Sequence, residues 1–215
     1  MLKKIASVAA LLIAMAPVAS AQSAMHFVNP GSVTDGHYFV GPYQVTQDGV
    51  LRSVYCVDFF HSVNPPNDWT ANLSDITGDL SETRTGNSVG AIDKYEKAAY
   101  LSTLFDGATN QQTVDIQHAM WRLFSPDAAF ISTGNGYLIN AGSNFYLNLA
   151  NTNYQTAGLN YNYFEIISDV NIGNPQVRDS RTVQEFISVT PEPSSMALLG
   201  TGLVGLVPLV RRRKK

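Results

Sequence analysis

The sequence predicts an α+β fold, a β-sandwich or barrel-like sheet with an inserted helical subdomain. Apolar residues alternate with a period of two before residue 60 and again after residue 160, as they do in half-buried strands. Between these stretches, from residue 91 to residue 124, they recur at helical spacing. An apolar segment at each end stands apart from this pattern. The remaining 22–190 are long enough for one domain with a sizeable core.

The first apolar segment reads as a cleaved signal peptide, residues 1–21. Lys3 and Lys4 precede the apolar run Ile5–Val18, and small residues that suit a signal peptidase end at Ala21. The exported chain is therefore expected to begin at Gln22.

The second apolar segment lies in residues 191–215, where Pro191-Glu192-Pro193 precedes Met196–Val210 and the basic end Arg211–Lys215. The apolar run has 15 residues, fewer than the ~20 that cross a bilayer comfortably. The order of the three parts closely resembles the PEP-CTERM sorting signal. The resemblance implies a Gram-negative bacterium, transient contact with the inner membrane through this helix, cleavage by an exosortase, and a product at the cell surface or in the extracellular matrix. An ordinary tail anchor is the alternative.

The exported part is strongly acidic. Seven lysine and arginine residues stand against 16 acidic residues in 22–190, which gives a formal net charge of −9. This charge argues against nucleic acid and anionic lipid as partners. The single cysteine, Cys56, excludes an internal disulfide.

Strands are expected at 37–45 and 50–60, joined by a turn at Gln47-Asp48-Gly49. The period of two places Cys56 and Asp58 on one face of the second strand and Tyr55 on the other. Residues 22–36 are read as an arm or one short strand, and 61–87 as a long loop with Trp69 turned inward.

Helices are expected at 91–105 and 111–124, and a third after residue 137 with Phe145 on its apolar stripe. Closing strands are expected at 161–167 and 184–189. On the second helix Gln117 shares a face with Trp121, so its amide needs a buried partner. His118 points about 100° away and is predicted to be a surface residue.

Two segments, Val-Tyr-Cys-Val-Asp at 54–58 and Asp-Ile-Gln-His-Ala-Met-Trp at 115–121, resemble the bacterial thioester domains of surface adhesins. The resemblance covers about residues 36–124. It implies that the sulfur of Cys56 attacks the amide of Gln117, expels ammonia and leaves an internal thioester. Tyr55, Asp58 and Trp121 would wall or polarise this site. An amine or hydroxyl on a surface ligand, protein or polysaccharide, would then be captured covalently.

Such a domain acts once, so the sequence predicts a surface adhesion or binding module and not an enzyme. The alternative is a structural protein of the exopolysaccharide or biofilm matrix, with Cys56 a buried hydrophobe and Gln117 an ordinary hydrogen-bonded amide. A secreted cysteine hydrolase is a third reading, but no hydrolase signature accompanies Cys56. No metal-ligand spacing or phosphate-binding motif is present, and no cofactor is expected.

Overall fold

The computed structural model describes residues 21–64, 67–126, 138–172 and 182–190. Within these ranges the chain forms a closed six-stranded β-barrel and three α-helices, which confirms the predicted α+β class with a barrel-like sheet. The strands are β1 (Ala21–Asn29), β2 (Tyr43–Gln47), β3 (Val50–Cys56), β4 (Asn67–Asp75), β5 (Phe164–Asp169) and β6 (Phe186–Val189). The helices are α1 (Ala91–Ser102), α2 (Asn110–Phe124) and α3 (Ala141–Asn153). The predicted signal peptide and sorting helix lie outside the described residues.

The barrel closes in the order β1-β2-β3-β6-β5-β4, with every neighbouring pair antiparallel. The tight turn between β2 and β3 places Asp48 at φ 48° and Gly49 at φ 82°. Positive φ at both central residues matches the twist of the flanking strands, and Asp-Gly adopts it readily. Asp48 also ties the turn to β1, because its carboxylate accepts hydrogen bonds from the Ser23 hydroxyl at 2.7 Å and the Ala24 N–H at 2.9 Å.

Two apolar clusters divide the core. The first is centred on inward-facing barrel side chains, including Phe27, Val54 and Phe186. The second lies where the helices cover the outside of the barrel, and it includes Tyr95, Ile116 and Ile187. Alternation along β6 explains the division, since Phe186 and its neighbour Ile187 point to opposite faces and each is fully buried.

The helical insertion lies between β4 and β5, and α2 is its central element. A capping box starts α2: the Thr109 hydroxyl accepts from the Gln112 N–H, and the Gln112 side chain accepts from the Thr109 N–H. The predicted bounds of α1, α2 and the two closing strands are confirmed to within a few residues. Within the described residues no helix combines the length and apolar character needed to cross a bilayer.

Several predictions about individual elements are wrong, among them the strand expected at 50–60, because β3 ends at Cys56. The proposed loop at 61–87 contains the nine-residue strand β4, whose Trp69 packs partly buried against the barrel interior as expected. The strand expected at 37–45 begins only at Tyr43, because Gly41 turns the chain at φ 104° and approaches Thr113 too closely for a larger residue. Phe145 of α3 is 59% exposed and does not belong to an apolar stripe.

The N-terminal arm is a full strand. β1 pairs with β4 from Ala21 to Phe27 and with β2 along its second half, so it closes the barrel. Its buried positions do alternate, at Ser23, Met25 and Phe27, but one of the three is a small polar residue, so the apolar pattern in the sequence was weak.

Candidate functional site

Cys56 ends β3 and points into the barrel interior, where its side chain is 1% exposed. It pairs across the sheet with Phe186 of β6. Its Sγ lies 3.0 Å from the carbonyl oxygen of Asp58, to which the thiol donates a hydrogen bond. The thiol is thus held at the point where the regular strand ends and the chain turns away.

Gln117 meets Cys56 from the middle of α2. Its side chain is fully buried, and Nε2 donates to the carbonyl oxygen of Cys56 at 2.7 Å. The amide oxygen Oε1 is also buried and has no hydrogen-bond partner among the described residues. The two residues are 61 positions apart in sequence, so only the docking of α2 against β3 brings the amide beside the cysteine.

Trp121 lies one helical turn after Gln117 and closes the site on the same side. Its Nε1 donates to the Cys56 Sγ at 3.4 Å, within the range for a sulfur acceptor. The ring packs edge-to-face against Phe59, with 5.2 Å between the ring centroids. Trp121 therefore both contacts the sulfur and separates it from solvent.

The electrostatics of the site favour neutral sulfur. Burial, followed by the nearby Asp58 carboxylate, raises the pKa of the Cys56 thiol far above its ordinary value, although the Trp121 N–H opposes the shift. A thiolate is the reactive form of cysteine, so the free thiol in this pocket is a weak nucleophile towards reagents from solvent. A neutral thiol or a neutral acyl-sulfur group is compatible with the pocket.

Asp58 has a structural role that the sequence did not reveal. Its side chain is buried, and Oδ2 lies 2.7 Å from His61 Nδ1 and 2.8 Å from Arg84 Nε. These contacts are close enough for ion pairs but are not aligned as hydrogen bonds. Opposite charges attract at this separation whatever the angle between the groups. The other oxygen, Oδ1, accepts from the Phe60 N–H at 3.0 Å and fixes the turn after Cys56.

Tyr55 and His118 lie elsewhere than the sequence suggested. Tyr55 follows the strand alternation to the outer face of the barrel, where its ring packs 4.9 Å from that of Phe105, away from the sulfur. The prediction that His118 is a surface residue is wrong. It is 3% exposed, stacks on Trp121 and lies 2.9 Å from Asp35, because the 30–42 segment covers that side of α2.

The sequence reasoning missed a second buried carboxylate beside the site, Glu185. It accepts hydrogen bonds from the Tyr95 hydroxyl at 2.6 Å, the Ser168 hydroxyl at 2.5 Å and the Arg84 N–H at 2.8 Å. Its own carbonyl accepts from the Val57 N–H at 3.0 Å, which holds the residue after Cys56. A charged residue inside an otherwise apolar strand was the available signal.

The structure thus brings together Cys56, Gln117, Trp121 and Asp58, and places Tyr55 outside the group. The arrangement puts a buried carboxamide against the backbone carbonyl of a buried cysteine, and a carboxamide and a thiol are the two groups that an intramolecular acyl transfer would join. In the part of the chain that the structure covers, no cluster of histidine, cysteine and carboxylate side chains could hold a metal ion.

Comparison with protein-family models gives one finding: residues 189–214 match the PEP-CTERM protein-sorting motif. Comparisons with curated protein sequences and with solved structures give no significant match. The chain therefore carries a C-terminal signal that implies recognition by an exosortase, export and sorting to the cell surface.

Proposed function

We propose that the exported domain is a surface adhesion module in which Cys56 and Gln117 form an internal thioester that captures a ligand covalently. The observation that carries the proposal is the 2.7 Å contact between the Gln117 amide nitrogen and the Cys56 carbonyl oxygen, in a buried site. The sorting motif supports the surface location. A module of this kind acts once and is not an enzyme.

Formation of the bond needs no outside reagent. The Cys56 sulfur adds to the Gln117 side-chain carbon, the C–N bond breaks, and ammonia leaves with the thiol proton. No electrons are transferred to or from another molecule. The unpartnered Oε1 of Gln117 becomes the thioester carbonyl oxygen. Loss of the amide N–H groups removes the hydrogen bond from Gln117 to the Cys56 carbonyl oxygen, which is then available to another donor.

Ligand capture breaks the thioester and releases the Cys56 thiol. An amine or hydroxyl of the ligand attacks the former Gln117 carbonyl carbon, a C–N or C–O bond forms, and the C–S bond breaks. The proton of the nucleophile goes to the Cys56 sulfur. Because burial penalises a thiolate here, the departing sulfur must be protonated as it leaves, and the buried pocket slows hydrolysis by excluding water.

Intact mass spectrometry of the purified exported chain tests the proposal. The wild type should be lighter than its sequence by one ammonia, and Cys56→Ala and Gln117→Ala should each have the full expected mass. Gln111→Ala is the matched control, since it removes an exposed glutamine from the same helix and should keep the loss of ammonia. Methylamine should add once per chain and release one thiol.

The competing structural matrix protein makes the opposite prediction. Its Cys56 would remain a thiol, so the wild type would have its full mass and one reactive sulfhydryl as soon as it is unfolded. Full mass together with complete thiol labelling in denaturant would rule out the thioester. In that case the contacts among Cys56, Gln117 and Trp121 would serve the packing of α2 on the barrel.

A further inference from the structure

A cleft of about 610 Å³ opens beside the Cys56 site. This volume lies in the range of roughly 300–1,000 Å³ that is typical of small-molecule sites. Trp121 and Asp58, which both contact Cys56, form part of its wall. Nearly half of the lining residues carry Phe, Tyr or Trp rings, among them Tyr38, Phe39 and Phe59.

The rings form a fixed platform. Tyr38 lies edge-to-face against Phe59 at 5.5 Å and against Trp121 at 6.2 Å between centroids, and Phe59 contacts Trp121 in the same manner. Phe39 adds an accessible ring, since it is 50% exposed and lines the cleft. Aromatic faces that cannot rearrange lose little entropy when a flat ligand packs on them.

A buried amide reaches the same cleft. Gln184 lines it and is only 6% exposed, and its Nε2 has no aligned hydrogen-bond partner among the described residues. Burial raises the pKa of Tyr43, and Gln184 opposes the shift, so the Gln184 side chain lies near the Tyr43 hydroxyl, which donates to the Phe39 carbonyl oxygen at 2.7 Å. The contact between Gln184 and Tyr43 is not aligned as a hydrogen bond. A buried donor without an aligned acceptor favours a ligand that supplies one.

The charges of the cleft favour a neutral ligand. Among the described lining residues there are two histidines, His37 and His61, one carboxylate, Asp58, and no lysine or arginine. That carboxylate already faces Arg84 and His61. A phosphate or carboxylate ligand would meet no lysine or arginine on the wall, and a cationic ligand would meet a carboxylate that is already neutralised.

We propose that this cleft binds a neutral saccharide. A pyranose ring presents a face of C–H groups, which suits the negative face of an aromatic ring, and a rim of hydroxyls, which suits an amide donor. Phe39, the accessible ring, would contact the ring face, and Phe59 and Trp121, which are 6% and 3% exposed, would support it from beneath. Gln184 would donate to a hydroxyl. The inference goes beyond covalent capture, because non-covalent binding here does not require the thioester.

The position of the cleft connects the two proposals. Trp121 stands between the cleft and the Cys56 sulfur, so a bound saccharide would hold its hydroxyls near the thioester. This link rests on the proposed function, whereas saccharide binding itself does not. Cys56→Ala should therefore abolish any covalent product and leave reversible binding intact.

Fluorescence titration tests saccharide binding. Trp69→Phe leaves Trp121 as the reporter, because the chain has two tryptophans and Trp69 does not line the cleft. The probes are maltotetraose, cellotetraose and chitotetraose, added to Trp69→Phe/Cys56→Ala protein. At least one should change the Trp121 emission saturably, with calorimetry giving the same dissociation constant.

Two substitutions and a matched control locate the binding. Phe39→Ala should weaken binding by about three- to tenfold, the effect expected for one lost aromatic contact. Gln184→Leu should weaken it by a similar factor. Phe145→Ala removes an equally exposed ring on α3 that does not line the cleft, and it should leave the dissociation constant unchanged.

Failure to bind any of the three probes, or equal weakening by Phe39→Ala and Phe145→Ala, would overturn the inference. These outcomes are separate from those of the thioester test. A protein that lacks the ammonia loss but binds a probe retains this inference and loses the proposed function. A protein that shows the ammonia loss but binds no probe does the reverse.

Discussion

Removal of the Tyr95 hydroxyl should destabilise the protein more as the pH rises. This fully buried hydroxyl donates to Glu185 Oε1 at 2.6 Å and lies 3.1 Å from the Thr85 hydroxyl. Glu185 is itself buried, and it immediately precedes β6, the strand that pairs with β3 at Cys56. Tyr95→Phe deletes one of the donors to the carboxylate and leaves the ring in place.

The magnitude follows from the charge of the acceptor. A hydrogen bond to a charged group contributes about 1.5–3 kcal/mol and one to a neutral group about 0.5–1.5 kcal/mol. Desolvation raises the pKa of Glu185, and the Tyr95 hydroxyl is among the donors that lower it, so the variant should have a higher Glu185 pKa than the wild type.

The raised pKa of Glu185 determines how the stability of the variant changes with pH. A carboxyl group whose folded-state pKa is raised costs nothing below its unfolded pKa and destabilises the fold as the pH rises above it. Tyr95→Phe makes ionisation of Glu185 in the folded state still less favourable, because the charged carboxylate loses a donor. The free energy of unfolding should therefore be lower than that of the wild type by about 1 kcal/mol near pH 5 and by about 2–3 kcal/mol near pH 8.

Urea unfolding at the two pH values measures this difference. With a slope of about 2 kcal/mol/M, the midpoint of Tyr95→Phe should fall by roughly 0.5 M near pH 5 and by more than about 1 M near pH 8. Tyr163→Phe is the control, since Tyr163 is 50% exposed and should behave as the wild type. An equal midpoint shift at both pH values would refute the assignment of Glu185 as the titrating group.

Two further substitutions test the framework of the site. Arg84→Gln should destabilise the fold by about 3–5 kcal/mol, because it leaves the buried Asp58 carboxylate without its closest permanent cation. Arg122 is the control, since its hydrogen bonds within the described residues go to the neutral side chains of Ser143 and Asn144, and Arg122→Gln should cost less than about 1.5 kcal/mol in the same urea assay. Similar losses for the two variants would contradict the ion-pair role. Thr109→Ala removes the cap of α2 and should cost about 1 kcal/mol in thermal unfolding, whereas Thr109→Ser should retain most of that stability.

Local patterns in the sequence predicted much of this protein. Periodicity identified α1 and α2, because each helix buries one face and so repeats its apolar residues at a fixed interval. The closing strands were also predicted, although both of their faces are buried. The inward orientation of Gln117 followed from its place on the same helical face as Trp121, and the structure buries it completely. The basic, apolar and Pro-Glu-Pro parts of the C-terminal signal are contiguous, so the sequence alone sufficed to recognise it.

Only the tertiary structure decided which residues meet. β1 and β4 were poorly predicted because some of their buried residues are small or polar, such as Ser23 in β1 and Ala71 in β4, so their alternation was weak in the sequence and barrel closure completes them. His118 is buried because a distant segment folds over α2, an event that helical geometry cannot reveal. The proximity of Gln117 to Cys56 likewise depends on docking across 61 residues of chain. Sequence determines which face of an element is apolar, but the packing of that face against another element places the chemical groups together.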